Sequence, residues 1–146
     1  MLLDPDDRVL LCRYEAAIGS VWATVGGGVE PGETPEEAVA RELEEEVGLS
    51  SPRIGPALWH RSHVFDIGGG FDVQQETFYL VRTDAIDLSP SIGWTGLAME
   101  GVKEMRWWGH REVAASLETF APRSLGRLLQ ELLNDGAPPV PIDVGV

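Results

Sequence analysis

A run of three glycines followed by a strongly punctuated helix is the feature that most constrains the fold of this chain. Thr34 is a typical N-cap residue, Pro35 stands at the first helical position, and Glu37 has capping-box spacing from Thr34. Gly48 supplies a residue that readily takes the left-handed conformation in which many helices end. The pattern therefore predicts a glycine-rich loop that leads into a helix over residues 35–47.

The predicted helix lies in a dense acidic segment, because residues 30–46 contain eight glutamates and one arginine. Glu42, Glu45 and Glu46 are spaced i, i+3, i+4, which places their side chains on one helical face. Like charges at this spacing destabilise a helix unless something positive lies between them. Carboxylate oxygens are the ligands of hard divalent cations such as Mg²⁺. The spacing is compatible with a cation-binding face, and the alternative is a solvated glutamate-rich surface.

A longer pattern distinguishes between these two interpretations. Gly27 is followed after five residues by Glu33, and after seven more by the run Arg41-Glu42-Leu43-Glu44-Glu45-Glu46-Val47-Gly48-Leu49. These residues match the Nudix box at every fixed position, and the chain resembles the MutT-type Nudix hydrolase superfamily. The resemblance implies an α/β fold, an α/β/α sandwich with a mixed central sheet. It also implies an enzyme that hydrolyses a nucleoside diphosphate linked to another moiety.

The same resemblance implies roles for individual residues. Mg²⁺ or Mn²⁺ would be bound by Glu42, Glu45 and Glu46, together with the carbonyl group of Gly27. Glu33 and Arg41 would pair and hold the geometry between loop and helix. The catalytic set implied within the box is therefore Glu33, Arg41, Glu45 and Glu46.

Members of this superfamily often take a further carboxylate from outside the box, and two glutamates are candidates here. Glu100 is followed by Gly101, which favours a loop able to approach a metal site. Glu104 lies at the start of a predicted strand over residues 104–108, where surface pairing is the simpler role. We therefore prefer Glu100, acting from a flexible loop that closes over the substrate, and keep Glu104 as the alternative.

Three residues outside the box are candidate substrate contacts. Arg13 and Arg82 lie on predicted strands, and a guanidinium group is well suited to binding phosphate. Trp94 lies in a glycine-bearing loop, where its ring could stack on a nucleobase. Surface ion pairing is the alternative for each arginine.

Composition limits the class of protein and of partner. The chain has 146 residues, which predicts one domain over 1–146, and its formal net charge of −13 argues against binding of a nucleic acid polymer. We find neither an apolar run of about 18 residues, which a membrane span would need, nor a secretory signal pattern. The single cysteine, Cys12, lies in an apolar run and is expected in the core. These features predict a cytoplasmic protein without a membrane partner and with a small nucleotide as substrate, while a homodimer stays open.

Hydrophobic patterning places the other elements. Strands are predicted over 1–3, 8–14, 20–25, 57–60, 63–67, 74–83 and 104–108, with a glycine turn at 68–70. Helices are predicted over 110–116 and 122–134, with one helical turn near Leu97. The proline-rich tail, 136–146, is expected to lie loosely on the surface. Helices enclosing a mixed sheet are the expected architecture.

The substrate stays open at this level. A nucleoside triphosphate pyrophosphohydrolase is one interpretation, and the alternative is a hydrolase of dinucleoside polyphosphates, nucleotide sugars or ADP-ribose. A third interpretation is a Nudix-like ligand sensor without turnover. Such modules commonly lose box carboxylates, whereas this chain keeps all of them, so we rank that interpretation last.

Overall fold

The computed structural model describes residues 1–16, 19–66, 71–84 and 87–145. The strands are β1 (Leu2–Leu3), β2 (Val9–Ala16), β3 (Gly19–Thr24), β4 (Ala57–Asp66), β5 (Phe71–Tyr79), β6 (Val81–Arg82), β7 (Val102–Trp108), β8 (Phe120–Ala121) and β9 (Ile142–Asp143). The helices are α1 (Pro35–Val47), α2 (Gly93–Met99), α3 (His110–Ala115) and α4 (Leu125–Asp135). In the described part of the chain, no helix has both the length and the apolar character needed to cross a membrane.

The strands form two sheets. Six strands make a mixed sheet in the order β6-β1-β2-β3-β8, with β7 also paired to β2, and β5-β4-β9 make a second sheet. β1 and β2 are antiparallel to each other, whereas β1 runs parallel to β6 and β3 runs parallel to β8. The mixed sheet and its helices confirm the predicted α/β fold class.

Strand β2 separates two parts of the core, because alternate side chains point to opposite faces of a sheet. Leu10 packs with Leu43 and Val47 of α1 on one face. Val9 and Leu11 pack on the other face in the cluster that contains the buried leucines of α4, namely Leu125, Leu128, Leu129 and Leu132. The sheet therefore has α1 on one face and α4 on the other.

Helix α1 has the predicted bounds and the predicted caps. The Thr34 hydroxyl accepts a hydrogen bond from the Glu37 N–H at 3.2 Å, and the Glu37 carboxylate accepts one from the Thr34 N–H at 2.8 Å. Gly48 ends the helix in the left-handed conformation, with φ of 80°. Local sequence signals are sufficient here, because each cap contact joins residues within one or two turns.

Elsewhere the predicted bounds needed correction. The segments 57–60 and 63–67 form one strand up to Asp66, and the predicted strand over 74–83 is divided at Leu80 between two sheets. Backbone hydrogen bonds join Leu80 to Gly55 and Pro56, so the chain changes sheet at that residue. Helix α4 begins at Leu125 rather than 122, because residues 120–121 pair with β3 as an edge strand. The predicted turn at 68–70 lies outside the described residues.

The C-terminal tail also differs from the expectation of a loose segment. Ile142 and Asp143 pair in parallel with Trp59 and His60 of β4, and the Val144 N–H donates to the His60 carbonyl at 2.9 Å. The edge of β4 that faces away from β5 has free backbone groups, and an extended tail can satisfy them whatever its composition. The tail therefore completes the second sheet.

Candidate active site

The glycine loop lies directly against the acidic face of α1. A Cβ atom added to Gly27 would be 2.1 Å from Oε1 of Glu42, so that only glycine lets the carboxylate come so close to the backbone. The Gly26 N–H donates to Oε2 of Glu46 at 3.2 Å. Loop and helix therefore bring backbone groups and two carboxylates into one place.

Arg41 joins the loop to the helix. Its guanidinium group donates to both carboxylate oxygens of Glu33, at 2.9 and 3.1 Å, and to the Gly28 carbonyl at 2.9 Å. The same group contacts Glu42 at 2.7 Å and Glu45 at 3.4 Å. Accepting hydrogen bonds from Arg41 lowers the pKa of Glu33, and the hydrogen bonds that Arg41 donates to Glu33 and Glu42 raise the pKa of Arg41. The fork geometry of arginine suits it to this bridging position.

Burial and repulsion between carboxylates disfavour the charged forms of Glu42 and Glu46. Glu46 is only 3% exposed, and burial raises its pKa to about 7, with the charges of Glu42, Glu100 and Glu45 adding to the effect. Burial also raises the pKa of Glu42, to which Glu45 and Glu100 contribute, against the opposing effect of Arg41. The four glutamates therefore form one electrostatically coupled cluster.

The two candidates for the extra carboxylate lie in different surroundings. Glu100 follows the last residue of α2, and its charge acts on Glu42 and Glu46. Glu104 lies on β7, where its carboxylate accepts a hydrogen bond from Nε of Arg13 at 3.1 Å. The charge of Glu100 thus acts on the acidic face of α1, whereas the carboxylate of Glu104 is paired with Arg13.

The donor set fits a hard divalent cation in its chemistry. It consists of carboxylate oxygens whose charges repel one another, and such a set is stabilised by a cation between them. Within the described residues, however, no three acidic, histidine or cysteine side chains converge closely enough to hold a metal ion as they stand. Arg41 contacts Glu42 and Glu45, while Glu46 faces the Gly26 N–H. Metal binding would therefore require side-chain rotation away from these partners.

The structure places the three candidate substrate contacts apart from this cluster or at its border. Arg13 lies in a groove with a volume of about 560 Å³, which Trp22 and Trp108 also line, and Trp22 and Trp108 belong to the α4 side of the core. Arg82 pairs with Asp7 at 2.7 Å on β6, at the edge of the sheet. Trp94 lies on α2 and is 58% exposed, on the same short helix that leads to Glu100.

Two residues lie near the cluster that the sequence analysis did not place there, namely Tyr14 and Cys12, of which Cys12 was expected in the core. Cys12 is fully buried, and burial together with the charge of Glu46 raises its pKa to about 12. Burial raises the pKa of Tyr14 as well, and the charges of Cys12, Glu46 and Glu100 add to this. The sequence signal that could have placed them there is the alternation of side chains along a strand. Cys12 and Tyr14 follow Leu10 at intervals of two residues, and Leu10 faces α1, so the three side chains are expected on the same face.

Comparison with known proteins identifies the family of this chain. The family model described as "NUDIX domain" matches residues 1–131, and the chain belongs to that family. The family and the fold predicted from the sequence are confirmed.

Two relatives each match part of this chain and part of their own length. The chain is 48% identical over 83 residues to nucleoside triphosphatase NudI of Salmonella typhimurium, covering 55% of this chain and 59% of the relative. It is 27% identical over 123 residues to Nudix hydrolase 19, chloroplastic, of Arabidopsis thaliana, covering 84% of this chain and 26% of the relative. The match thus spans less than two thirds of either relative. The crystal structure of a MutT NUDIX hydrolase from Burkholderia pseudomallei has a TM-score of 0.61 at 24% identity, covering 87% of this chain and 94% of that chain, and shows the shared fold.

Proposed function

We propose that this protein is a divalent-metal-dependent pyrophosphohydrolase that cleaves a nucleoside diphosphate linked to another moiety. The observation that carries the proposal is the coupled cluster of Glu42, Glu45, Glu46 and Glu100, which lies beside the glycine loop of a complete Nudix box. Burial and the neighbouring charges raise the pKa of Glu42 and Glu46, and such a site is unfavourable unless a cation or a proton neutralises it. That cost is understandable if the cluster exists to bind metal.

Each group of residues in the site would have a separate role. Glu42, Glu45, Glu46 and the Gly27 carbonyl would hold Mg²⁺ or Mn²⁺. When bound, such a cation neutralises phosphate oxygens and lowers the pKa of water. Arg41 and Glu33 keep the loop and the helix together.

Glu100 would accept a proton from the attacking water. It is exposed at the end of α2, so it can reach a substrate without leaving the fold, and its charge already acts on the cluster. A positioned carboxylate base of this kind contributes about 10²–10⁴-fold to a rate. Glu100 would therefore act as the general base, and the box glutamates would bind the cation.

Among substrate classes, we favour a nucleoside triphosphate. The support is the name of the Salmonella typhimurium relative, a nucleoside triphosphatase, which shares 48% identity over a segment of 83 residues. We propose that the exposed side chain of Trp94 on α2 stacks on the base. Dinucleoside polyphosphates, nucleotide sugars and ADP-ribose remain the alternative substrates.

A substrate panel tests the proposal. The purified chain is incubated with Mg²⁺ and ribo- and deoxyribonucleoside triphosphates, dinucleoside polyphosphates, nucleotide sugars, ADP-ribose or a 5′-triphosphate RNA, and released phosphate and pyrophosphate are measured. We expect pyrophosphate release from at least one triphosphate, and loss of that release with a chelator. Hydrolysis of another anhydride would keep the enzyme class and change the substrate, whereas inactivity on the whole panel would contradict the proposal.

A pair of variants tests the site. Glu46→Gln keeps the size of the side chain and removes its charge, and we expect turnover to fall by about 100-fold or more, because a metal ion supplies several kcal/mol of transition-state stabilisation. Glu44→Gln is the matched control, since Glu44 is an exposed glutamate of the same helix. Equal activity of the two variants would contradict the assignment of Glu46.

A further inference from the structure

The helix that leads to Glu100 is attached to the C-terminal end of α1. The Ser89 N–H donates to the Val47 carbonyl at 2.9 Å, and the Ser91 hydroxyl donates to the Glu44 carbonyl at 2.9 Å. The Ile92 N–H donates to the Glu45 carbonyl at 3.2 Å. The last carbonyls of a helix lack partners within the helix, so the bonds to Glu45 and Val47 satisfy groups that would otherwise need water. The Glu44 carbonyl also accepts from the Gly48 N–H, and Ser91 is its second donor.

Gly48 allows this attachment to be a backbone contact. A Cβ atom at residue 48 would be 1.8 Å from the Ser89 carbonyl oxygen, and the residue has φ of 80°. A glycine is thus required at residue 48 for two reasons. The backbone there is left-handed, and the backbone of residue 89 lies too close for a side chain. The segment before α2 is therefore held against the helix that carries Glu45 and Glu46.

Helix α2 itself packs against the sheet rather than forming a free loop. Leu97 is 1% exposed and belongs to the same buried cluster as Cys12 and Val102. The Glu100 N–H donates to the Gly96 carbonyl at 3.1 Å, so Glu100 continues the geometry of the helix. The position of Glu100 is therefore set by the packing of α2. The sequence instead predicts that Glu100 lies on a flexible loop.

Tyr14 lies beside the segment that follows α2. It packs against the cluster of Cys12, Leu97 and Val102, and a Cβ atom added at Gly101 would be in ordinary contact with its Cδ1, at 3.9 Å. Tyr14 pairs with Val102 across β2 and β7, directly after an irregularity in the register of these strands. Such bulges redirect side chains and are common beside active sites. The neutral phenol is compatible with the two carboxylates nearby, because burial and their charges raise its pKa.

We propose that Tyr14 and Ser91 are positioning residues that act through Glu100, holding its carboxylate towards Glu42 and Glu46. The inference rests on the proposed function, because Glu100 must act in the reaction for its position to affect the rate. Neither residue needs to touch the substrate. Ser91 holds the segment before α2 on α1, and Tyr14 packs against the buried cluster that contains Leu97 of α2.

Double-mutant cycles with Glu100→Gln test this coupling. We expect Tyr14→Leu to lower kcat about tenfold and leave KM nearly unchanged, since small displacements of a catalytic group are costly. Ser91→Ala should have a smaller effect of the same kind. In the Glu100→Gln background, neither substitution should lower kcat further, because residues that act as a unit are not additive. Tyr14→Phe, which keeps the ring, should restore most of the activity.

Tyr79→Leu is the matched control, because it makes the same substitution on β5 of the second sheet. Its kcat and KM should stay at the values of the unmodified chain, and melting temperatures of all variants are recorded. Equal losses of kcat with and without Glu100 would overturn the proposal, as would an active Tyr14→Leu variant. If Glu100→Gln kept the activity of the unmodified chain while Glu46→Gln was inactive, the positioning role of Tyr14 and Ser91 would also be overturned. The assignment of the metal site would be unaffected by that result.

A second readout does not depend on activity. Hydrogen exchange in a peptide that covers residues 93–102 should be faster in Tyr14→Leu and Ser91→Ala than in the unmodified chain and in Tyr79→Leu. Unchanged exchange in both variants would overturn the proposal. Failure of the proposed function would instead be seen as an inactive unmodified chain, in which exchange still reports whether these residues hold α2.

Discussion

Gly27 and Glu42 are in such close contact that a Cβ atom at residue 27 would be 2.1 Å from Oε1 and 3.0 Å from Oε2 of the carboxylate. The contact joins the glycine loop to the first glutamate of the acidic face. Arg41 donates to the same oxygen at 2.7 Å. The Glu42 carboxylate therefore lies against both the loop and Arg41.

Replacing Gly27 should therefore disturb the site without disturbing the core. In Gly27→Ala, either the loop or the Glu42 side chain must shift, and we expect Mg²⁺-dependent turnover to fall about tenfold or more, as expected for a misplaced catalytic geometry. Steady-state kinetics across Mg²⁺ concentrations measure the effect. Gly28→Ala is the control, because an added Cβ there meets nothing within 4 Å. Equal activity of the two variants would show that the contact is not needed.

Divalent cations should stabilise the fold through the carboxylate cluster. A ligand that binds only the native state stabilises it by about 2.7 kcal/mol at a hundredfold excess over Kd, which corresponds to several degrees in Tm. We expect millimolar Mg²⁺ or Mn²⁺ to raise Tm in thermal scans, compared with NaCl of equal ionic strength. Glu44→Gln should keep the shift and Glu46→Gln should lose most of it. Superimposed scans with Mg²⁺ and with a chelator would identify the cluster as a solvated surface.

Glu100 and Glu104 should differ sharply when each is changed to glutamine. Glu100→Gln is expected to lower kcat by about 100-fold with little change in KM, because a general base acts mainly in the transition state. Glu104→Gln should be mild, since it loses only a partly exposed ion pair with Arg13, worth about 0–1 kcal/mol. Kinetics on both variants decide the assignment. A mild Glu100→Gln beside a strongly impaired Glu104→Gln would transfer the role to Glu104.

The thiol of Cys12 should be unreactive in the native protein. It is fully buried and its pKa is raised to about 12, so the thiolate is scarce at pH 8. We expect iodoacetamide to label the thiol after denaturation but not before. Because the pKa is raised, native labelling should stay low as the pH rises from 7 to 9, whereas an exposed thiol reacts progressively faster. Rapid labelling at pH 8 without unfolding would contradict the buried position of Cys12.

The amino-acid sequence predicts the parts of the protein that depend on neighbours along the chain. Helix α1 has the predicted bounds, because Thr34, Glu37 and Gly48 act within one turn of the ends they define. The shared face of the box glutamates follows from helical periodicity alone. The pairing of Arg41 with Glu33 was expected from the family resemblance and is present in the structure.

Contacts between distant segments set the features that local patterns leave open. Whether a carboxylate outside the box lies near the acidic face depends on how α2 and β7 pack, which spacing in the sequence does not encode. Tyr14 reaches the cluster because β2 pairs with β7, and its position depends on an irregularity in that pairing. Ile142 becomes part of a strand because β4 has a free edge. Hydrogen bonds of a sheet join residues far apart in the chain, and local composition cannot predict which edge will be available.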